Sequence, residues 1–234
     1  MSKTQALESV ANNLANVNTP GFRSERNQFS SVLANASATG SSPLNLAVNN
    51  YGVLGGTRLD TSQGSLEKTG NQLDFAIDGA GYFAVQTTAG RMYTRSGNFQ
   101  VAANGQLVTS EGDPVMGEKG VLNVSGGKVH VGADGTISVD GAVVGRLKVV
   151  DFSSSTQLAA TGKTYYSAPE NSEIEAKQAS VQQGVIESSN VNPVTSAVEL
   201  INIQRQAEMM QRALSLFNSD FDKTATEDLP RVTS

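Results

Sequence analysis

LINIQRQAEMMQRALSLFNSDF, residues 200–221, carries the strongest periodic pattern in the chain. Its apolar residues recur at alternating spacings of three and four: Leu200, Ile203, Ala207, Met210, Leu214, Phe217 and Phe221. This spacing is that of an a/d coiled-coil seam, and it also fits one face of a helix packed on a globular core. Asn192-Pro193 supplies a helix start and Pro230 lies beyond the end. A helix over residues 194–221 would be roughly 42 Å long at 1.5 Å per residue.

A shorter fragment with the same spacing lies near the N-terminus, where apolar residues stand at Leu7, Val10, Leu14 and Val17. A lone helix of this length is marginal in water, so its apolar face needs another helix. We therefore expect the two ends to pair as a coiled coil. The helix is crowded by Asn12, Asn13 and Asn16, and Thr19-Pro20-Gly21 ends it abruptly.

Between the two ends the apolar period changes from that of a helix to that of strands. Residues 73–77 and 82–85 indicate short strands on either side of Asp78-Gly79-Ala80-Gly81. Hairpin turns are predicted at Asn104-Gly105, Asp134-Gly135 and Asp140-Gly141. The predicted fold is α+β, a central all-β hairpin-rich domain flanked by helices that pair as a coiled coil. The predicted divisions are an N-terminal helix (1–26), a loosely structured connector (27–65), a β domain (66–180) and a C-terminal helix with its tail (181–234).

The composition excludes several classes of function. The chain has 234 residues, 23 of them Gly, and 6% aromatic residues without Trp, which suits turn-rich β structure better than a deep enzymatic pocket. A net charge of -5 and the lack of a Lys/Arg run argue against nucleic-acid binding. No apolar run approaches the 18 residues of a membrane span. Met1-Ser2-Lys3 precedes a polar stretch, so no cleaved secretory signal is expected.

The sequence predicts no catalytic, cofactor-binding or metal site. With no Cys and only one His, ligands for a transition metal are scarce, and His130 between two valines is expected to face solvent. The segment Gly79–Ala84 matches a dinucleotide fingerprint, but a strand follows it where a helix is required. Gly162-Lys163-Thr164 resembles only the end of a phosphate loop and is interpreted as a turn. Asp74 and Asp78 could pair for acid–base work, as in a glycosidase, but scattered acids on loops are far more often surface residues.

Three stretches together resemble the axial proteins of the bacterial flagellar rod and hook. They are ANNLANVNTPGF (11–22); LDFAIDGAGYFAV (73–85), followed by Tyr93-Thr94-Arg95 and by residues 105–109; and QGVIESSNVNPVTSAVELINIQR (183–205). They occur in the order of that family and span nearly the whole chain. Within the family, the short β domain and Ser-Asn-Val-Asn-Pro-Val look closest to the proximal-rod type, with the distal-rod type a near rival. Family members usually carry more residues ahead of the Asn-rich signature than Met1–Val10.

The resemblance implies a non-enzymatic subunit that polymerises with itself and other rod proteins into a hollow shaft transmitting motor torque to the hook and filament, with hook and ring components as possible further partners. It further implies terminal helices that line the shaft, location in the basal body, and export through the flagellar type III apparatus without a cleaved signal. No cofactor, nucleic-acid partner or membrane insertion is expected. Amides beside the N-terminal stripe would then face neighbouring subunits, where they fix register without burying charge; plain exposure is the other interpretation. The alternative function is a β-rich adhesin or binding module on a helical stalk. The predicted assembly interface comprises Leu7, Val10, Asn12, Asn13, Leu14, Asn16, Val17, Asn190, Leu200, Ile203, Ala207, Met210, Leu214, Phe217 and Phe221.

Overall fold

The computed structural model describes residues 2–30, 53–124, 126–153 and 156–227. Within them the chain is β-rich, with one helix near each end: α1 (Ser2–Ala15) and α2 (Pro193–Glu227). Helix α2 begins at Pro193, as predicted, because proline at the first helical position fixes φ and loses no hydrogen bond. With 35 residues it is roughly 52 Å long. No helix in the described ranges is long and apolar enough to cross a membrane.

The chain divides into two compact units. One unit comprises Met1–Asn12, Asn27–Gly56 and Pro193–Ser234, and it therefore holds most of α1 and all of α2. The other comprises Asn13–Arg26 and Thr57–Asn192 and holds nearly all the strands. Residues 13–26, which the sequence analysis grouped with the N-terminal helix, thus cluster with the β-rich residues.

The largest sheet has six strands in the order β15-β16-β6-β5-β14-β17. Its members are β5 (Tyr82–Thr87), β6 (Gly90–Thr94), β14 (Val149–Phe152), β15 (Ala159–Thr161), β16 (Tyr165–Ser167) and β17 (Glu173–Glu175). Each neighbouring pair in it is antiparallel. Strand β5 is central and Tyr82–Val85 are all buried, so it is covered on both faces.

The remaining strands form smaller sheets. One has three strands, β11 (Val129–Val131), β12 (Thr136–Val139) and β13 (Ala142–Arg146). The others are strand pairs: β1 (Glu25–Ser30) with β2 (Val53–Leu59), β3 (Leu66–Lys68) with β19 (Val185–Glu187), β4 (Phe75–Asp78) with β18 (Ser180–Gln183), β7 (Gln100–Val101) with β8 (Leu107–Val108), and β9 (Met116–Gly117) with β10 (Gly120–Val121).

Two apolar clusters lie on opposite faces of the central strand. Phe83 and Val85 of β5 belong to the larger cluster, which also contains Phe75, Phe99 and Leu107. The smaller cluster is aromatic and contains Tyr82, Ala84, Tyr93, Val150 and Tyr166. Because successive side chains of a strand point to opposite faces, consecutive residues of one strand serve both clusters.

The predicted hairpin turns are confirmed. Asp140 and Gly141 link β12 to β13 with φ of 49° and 86°, the left-handed conformation that a tight two-residue hairpin requires. Asn104-Gly105 links β7 to β8, and Asp134-Gly135 lies between β11 and β12. His130 is exposed between buried Val129 and Val131, as predicted. Strand β5 follows Gly79–Gly81, so the dinucleotide fingerprint lacks its helix, and Gly162–Thr164 is a turn.

Two features of the middle of the chain were not anticipated. The strands before and after Gly79 do not pair with each other, since β4 joins β18 whereas β5 joins β6 and β14. Residues 27–65, expected to be loosely structured, contribute to β1 and supply all of β2; residues 31–52 lie outside the described ranges. Pairing of the two terminal helices as a coiled coil remains a prediction.

Candidate assembly junction

The Asn-rich signature folds back on itself immediately after α1. Successive turns carry the chain from Asn13 to Phe22, with Thr19 N donating to Asn16 O at 3.1 Å and Phe22 N to Thr19 O at 3.2 Å. Asn13 closes this loop with its side-chain amide, because Nδ2 donates to Glu25 O at 2.8 Å and Oδ1 accepts from Glu25 N at 2.9 Å. The buried amide of Asn13 therefore completes a backbone-like pair within the chain.

Gly21 brings this loop against the segments that carry Arg95 and Glu187 in the same unit. Its N–H donates to Glu187 O at 2.7 Å, and its φ of 71° is in the left-handed region that favours glycine. A Cβ at Gly21 would collide with the backbone of Arg95 and Ser96. The close approach of two backbones, together with the positive φ, explains why Pro20 is followed by glycine.

Arg23, two residues later, enters a buried ion cluster with Arg95 and Glu187. Glu187 Oε1 lies 2.5 Å from Arg23 Nη1, and Glu187 Oε2 lies 3.0 Å from Arg95 Nη1. The side chains of Arg23 and Glu187 are fully buried and that of Arg95 is 4% exposed. Gly64 N also donates to Glu187 Oε1 at 2.8 Å. One carboxylate thus faces two guanidinium groups away from solvent.

The two arginines are bound very differently. Arg95 donates to Ile77 O at 3.1 Å and to Gly79 O at 2.7 Å as well as to Glu187, so it also fixes the turn between β4 and β5. Arg23 has an ion pair with Glu187, but none of its guanidinium nitrogens makes a hydrogen bond of good geometry to a described residue. The cluster therefore holds one excess positive charge, and Arg23 is the arginine that makes fewer hydrogen bonds.

Aromatic rings close the cluster. The Arg95 guanidinium lies 5.3 Å from the centre of the Tyr82 ring, a cation–π distance. Arg23 N donates to the Tyr166 hydroxyl at 3.0 Å. Burial lowers the pKa of Arg95 from its ordinary value, and the Glu187 carboxylate opposes that effect. Burial also disfavours the charged form of the two tyrosines, which raises the pKa of Tyr82 and of Tyr166 and keeps both hydroxyls neutral at physiological pH.

Asn190 joins the same region through its side chain. Its Oδ1 accepts from Ser24 N at 2.7 Å, and its Nδ2 donates to Asp60 O at 2.9 Å and to Ser62 O at 3.0 Å. Asn190 N also donates to Phe22 O at 3.3 Å. A single amide thus links the signature loop, the segment after β2 and the chain leading into α2. We name the group Gly21, Arg23, Arg95, Glu187 and Asn190 the junction.

The other predicted interface residues fall into three groups. In α1, Val10 is buried, Leu7 and Leu14 are half-buried, and Asn12 is exposed; beyond its end Asn16 is buried and Val17 is half-buried. In α2, Leu200, Ile203 and Ala207 are half-buried. The side chains of Met210, Leu214, Phe217 and Phe221 lie outside what the structure describes, although the residues belong to α2. The use of these residues in assembly stays a prediction. Because the Asn13 amide is already hydrogen-bonded to Glu25, the proposal that amides face a neighbouring subunit applies to the other asparagines of the signature.

Asn190 was predicted from the sequence, but the charged members of the junction were not. Arg95 and Glu187 both lie in stretches quoted for the family resemblance, and Arg23 directly follows the first stretch. No sequence pattern marked them for burial: Glu187 follows Val185-Ile186 but is itself followed by the polar pair Ser188-Ser189. Spacing alone could not show that residues 72 and 164 positions apart, Arg23–Arg95 and Arg23–Glu187, would meet.

The acids considered for catalysis have structural partners. Asp74 is buried and accepts from Thr69 Oγ1 at 2.6 Å and from Asn71 Nδ2 at 3.3 Å. Asp78 is exposed and accepts from Gln182 Nε2 at 3.0 Å. Within the described residues no group of three or more His, Cys, Asp or Glu side chains is placed to hold a metal ion.

Three family profiles match successive parts of the chain. Residues 2–23 match "Flagella basal body rod protein", residues 76–139 match "Flagellar hook protein FlgE/F/G D1 domain", and residues 182–227 match "Flagellar basal body rod FlgEFG protein C-terminal". Each matched part supplies one member of the ion cluster: Arg23, Arg95 and Glu187 respectively.

Curated relatives match over nearly the full length. The "Flagellar basal-body rod protein FlgF" of Caulobacter vibrioides is 34% identical over 99% of this chain and 95% of its own. The protein of the same name from Mesorhizobium japonicum is 34% identical over 89% of this chain and 85% of its own. The "Flagellar basal-body rod protein FlgG" of Buchnera aphidicola subsp. Acyrthosiphon pisum is 32% identical over 88% of this chain and 87% of its own.

Proposed function

Because the chain belongs to the family of flagellar basal-body rod proteins, we propose that it is a non-enzymatic subunit of the hollow shaft that carries motor torque to the hook and filament. The observation that carries this proposal is the match over 99% of the chain, in which all three family segments contribute to one buried ion cluster. None of the relatives named above is an adhesin, so that alternative has no support among them.

A rod subunit has to be rigid to transmit torque, and the junction holds the signature loop firmly among the strands of its own unit. The signature loop is held by Gly21 to Glu187 O, by Arg23 to the Glu187 carboxylate, and by Ser24 to Asn190. Three contacts of different kinds within four residues leave the loop little freedom to pivot. We propose that these contacts fix the signature loop in one position within the β-rich unit.

The terminal helices are proposed to form the polymerising part, through the stripe from Leu200 to Phe221 and the stripe from Leu7 to Val17. The half-buried state of Leu200, Ile203 and Ala207, beside exposed Gln204 and Gln206, is consistent with that face being the one that packs. The subunit is further proposed to reach the basal body through the flagellar type III export apparatus, and to contact other rod proteins and copies of itself.

Two substitutions in α2 test the stripe. Leu214 lies on it, whereas Ser215, one residue on, is exposed. Leu214→Asp places an unpaired charge on the proposed packing face and should abolish incorporation, whereas Ser215→Asp should be tolerated. The measurement is motility and hook formation in a deletion strain complemented with each variant. Equal function from both variants would eliminate the stripe as an assembly seam.

The deletion strain itself tests the function. Without the chain, we expect no hook and no swimming, and both should return with the unsubstituted gene. A deletion strain that still builds hooks and swims would refute a structural role in the rod.

A further inference from the structure

The buried ion cluster carries more positive charge than the described side chains around it neutralise. Arg23 Nη1 and Arg95 Nη1 contact the two oxygens of one carboxylate, that of Glu187, at 2.5 and 3.0 Å. Among the described residues no second carboxylate forms an ion pair with either arginine. Burial lowers the pKa of Arg95, and the nearby charge of Arg23 lowers it further, as two cations that repel each other must. Arginine stays protonated in proteins, so the excess charge cannot be removed by loss of a proton.

The cluster also has hydrogen-bond donors to spare. Nε, Nη1 and Nη2 of Arg23 and Nε of Arg95 have no acceptor of good geometry within the part of the chain that the structure describes. The Tyr82 hydroxyl lies beside the Arg23 guanidinium without accepting one of these hydrogen bonds. Buried donors in native proteins are almost always satisfied by protein groups, by ordered water or by an ion. An acceptor that the side chains do not supply is therefore required at Arg23.

We propose that the ion cluster binds one monovalent inorganic anion, chloride under physiological conditions, against the Arg23 guanidinium. A single excess positive charge matches a monovalent ion and not a doubly charged phosphate or sulfate. The side chains of Arg23 and Glu187 are fully buried, so the ligand has to be enclosed, which favours a small ion over an organic carboxylate. Water would satisfy the donors but would leave the charge unbalanced, whereas an anion satisfies both.

An anion at this position makes the stability of the folded chain depend on the anion concentration. A ligand that binds only the folded state stabilises it in proportion to the logarithm of its concentration. Above the dissociation constant, a tenfold rise in chloride therefore multiplies the folding equilibrium constant by about ten. At a slope of about 2 to 3 kcal/mol per molar urea, this raises the urea midpoint by about 0.5 to 0.7 M.

The first experiment measures the urea midpoint of the full chain as sodium gluconate is replaced by sodium chloride. The total ionic strength is held constant, so that screening of surface charges does not change. Gluconate is an organic anion too large for an enclosed site. Over a hundredfold range of chloride we expect the midpoint to rise by at least about 0.5 M. A midpoint that does not respond to chloride would overturn the inference.

Two arginine variants assign the chloride response to the cluster. Arg23→Met removes the proposed ligand of the anion, and Arg26→Met, three residues on, makes the same change at a side chain that is 75% exposed and pairs with Asp60. Both variants change the net charge by one unit. We expect Arg23→Met to lose the chloride response and Arg26→Met to keep it. A response that survives in Arg23→Met, or that is lost equally in both variants, would overturn the inference.

A third experiment locates the anion without any substitution. Crystals of the full chain are grown in sodium bromide, and bromide is identified by its anomalous scattering. We expect an anomalous peak within hydrogen-bond distance of an Arg23 guanidinium nitrogen. An ordered water without anomalous signal at that position would overturn the inference. So would bromide found only beside exposed lysines, since that is an adventitious ion only.

Discussion

Substitutions in the ion cluster should rank by the charge they leave behind. Glu187→Gln removes the only carboxylate and leaves two buried guanidinium groups without a counter-ion. Removing one partner of a buried ion pair typically costs about 3 to 5 kcal/mol. Because two cations lose their partner at once here, and Gly64 N loses a charged acceptor, we expect about 5 kcal/mol for this variant.

The two arginines should behave unequally. Arg95→Met leaves Gly79 O without its donor, removes one of two side-chain donors to Ile77 O, and should cost about 3 to 4 kcal/mol. Arg23→Met removes the excess cation, which makes fewer hydrogen bonds than Arg95, and leaves a balanced pair of Arg95 and Glu187, so it should cost no more than about 2 kcal/mol. Glu67→Gln, on an exposed residue of β3, is the control and should cost about 0 to 1 kcal/mol.

The assay is urea unfolding at pH 7, followed by circular dichroism. With a slope of about 2 to 3 kcal/mol per molar urea, a loss of 5 kcal/mol lowers the midpoint by about 1.7 to 2.5 M. Arg23→Met should lower it by about 1 M or less. If Arg23→Met proved as destabilising as Glu187→Gln, the argument from charge balance would be wrong and packing around Arg23 would be the governing factor.

Three further predictions concern the same unit. Gly21→Ala should destabilise the protein clearly more than Gly70→Ala. Both glycines have φ near 70°, so alanine at either position costs about 1 to 2 kcal/mol of left-handed strain, but only a Cβ at Gly21 collides with backbone. Equal urea midpoints for the two variants would contradict the close approach of the backbone at Gly21. Burial raises the pKa of Glu173, but hydrogen bonds from Lys148, Tyr93 and Arg91 outweigh burial and lower that pKa to about 2. The contribution of Glu173 to the free energy of unfolding is therefore complete above about pH 4.5 and is lost as the pH falls toward 2. Glu173→Gln should flatten the acid side of the stability curve, whereas the control Glu175→Gln should not. After cleavage at a protease site inserted between residues 40 and 41, the two fragments should co-elute in native size-exclusion chromatography. The reason is that Gly21 and Arg23 bind Glu187 and Ser24 binds Asn190. Release of the N-terminal fragment would refute that attachment.

The sequence indicated those parts of the fold that depend on local rules. The turn at Asp140-Gly141 was predictable because few residue pairs tolerate two successive positive φ angles. The start of α2 at Pro193 was predictable because proline is favoured at the first helical position. The separation of β4 from β5 was not, since it depends on β18, more than 100 residues further along the chain. Hairpin signals report neighbours in sequence and carry no information about such distant pairing.

The candidate site divides in the same way. Periodicity indicated the stripe of Leu200, Ile203 and Ala207, because a helix repeats every 3.6 residues and its faces follow from spacing. It did not indicate that Val198 and Ile201 would be exposed, since their exposure becomes visible only once the structure shows which face of α2 is half-buried. The ion cluster was beyond reach for another reason: Arg23, Arg95 and Glu187 are charged residues, and a single sequence gives no reason to bury them.

The location of the ion cluster nevertheless has a physical logic. A joint between the signature loop and the β-rich unit could have been made from apolar side chains, which pack well in many alternative arrangements. The two terminal nitrogens of Arg95 find acceptors only when Glu187, Ile77 O and Gly79 O all stand in place, and Glu187 can be buried only when cations face it. Such a network tolerates one arrangement of the three segments and penalises the rest. A subunit that has to repeat the same geometry in every copy of a shaft benefits more from a joint with a single arrangement than from a more stable joint with several alternative arrangements.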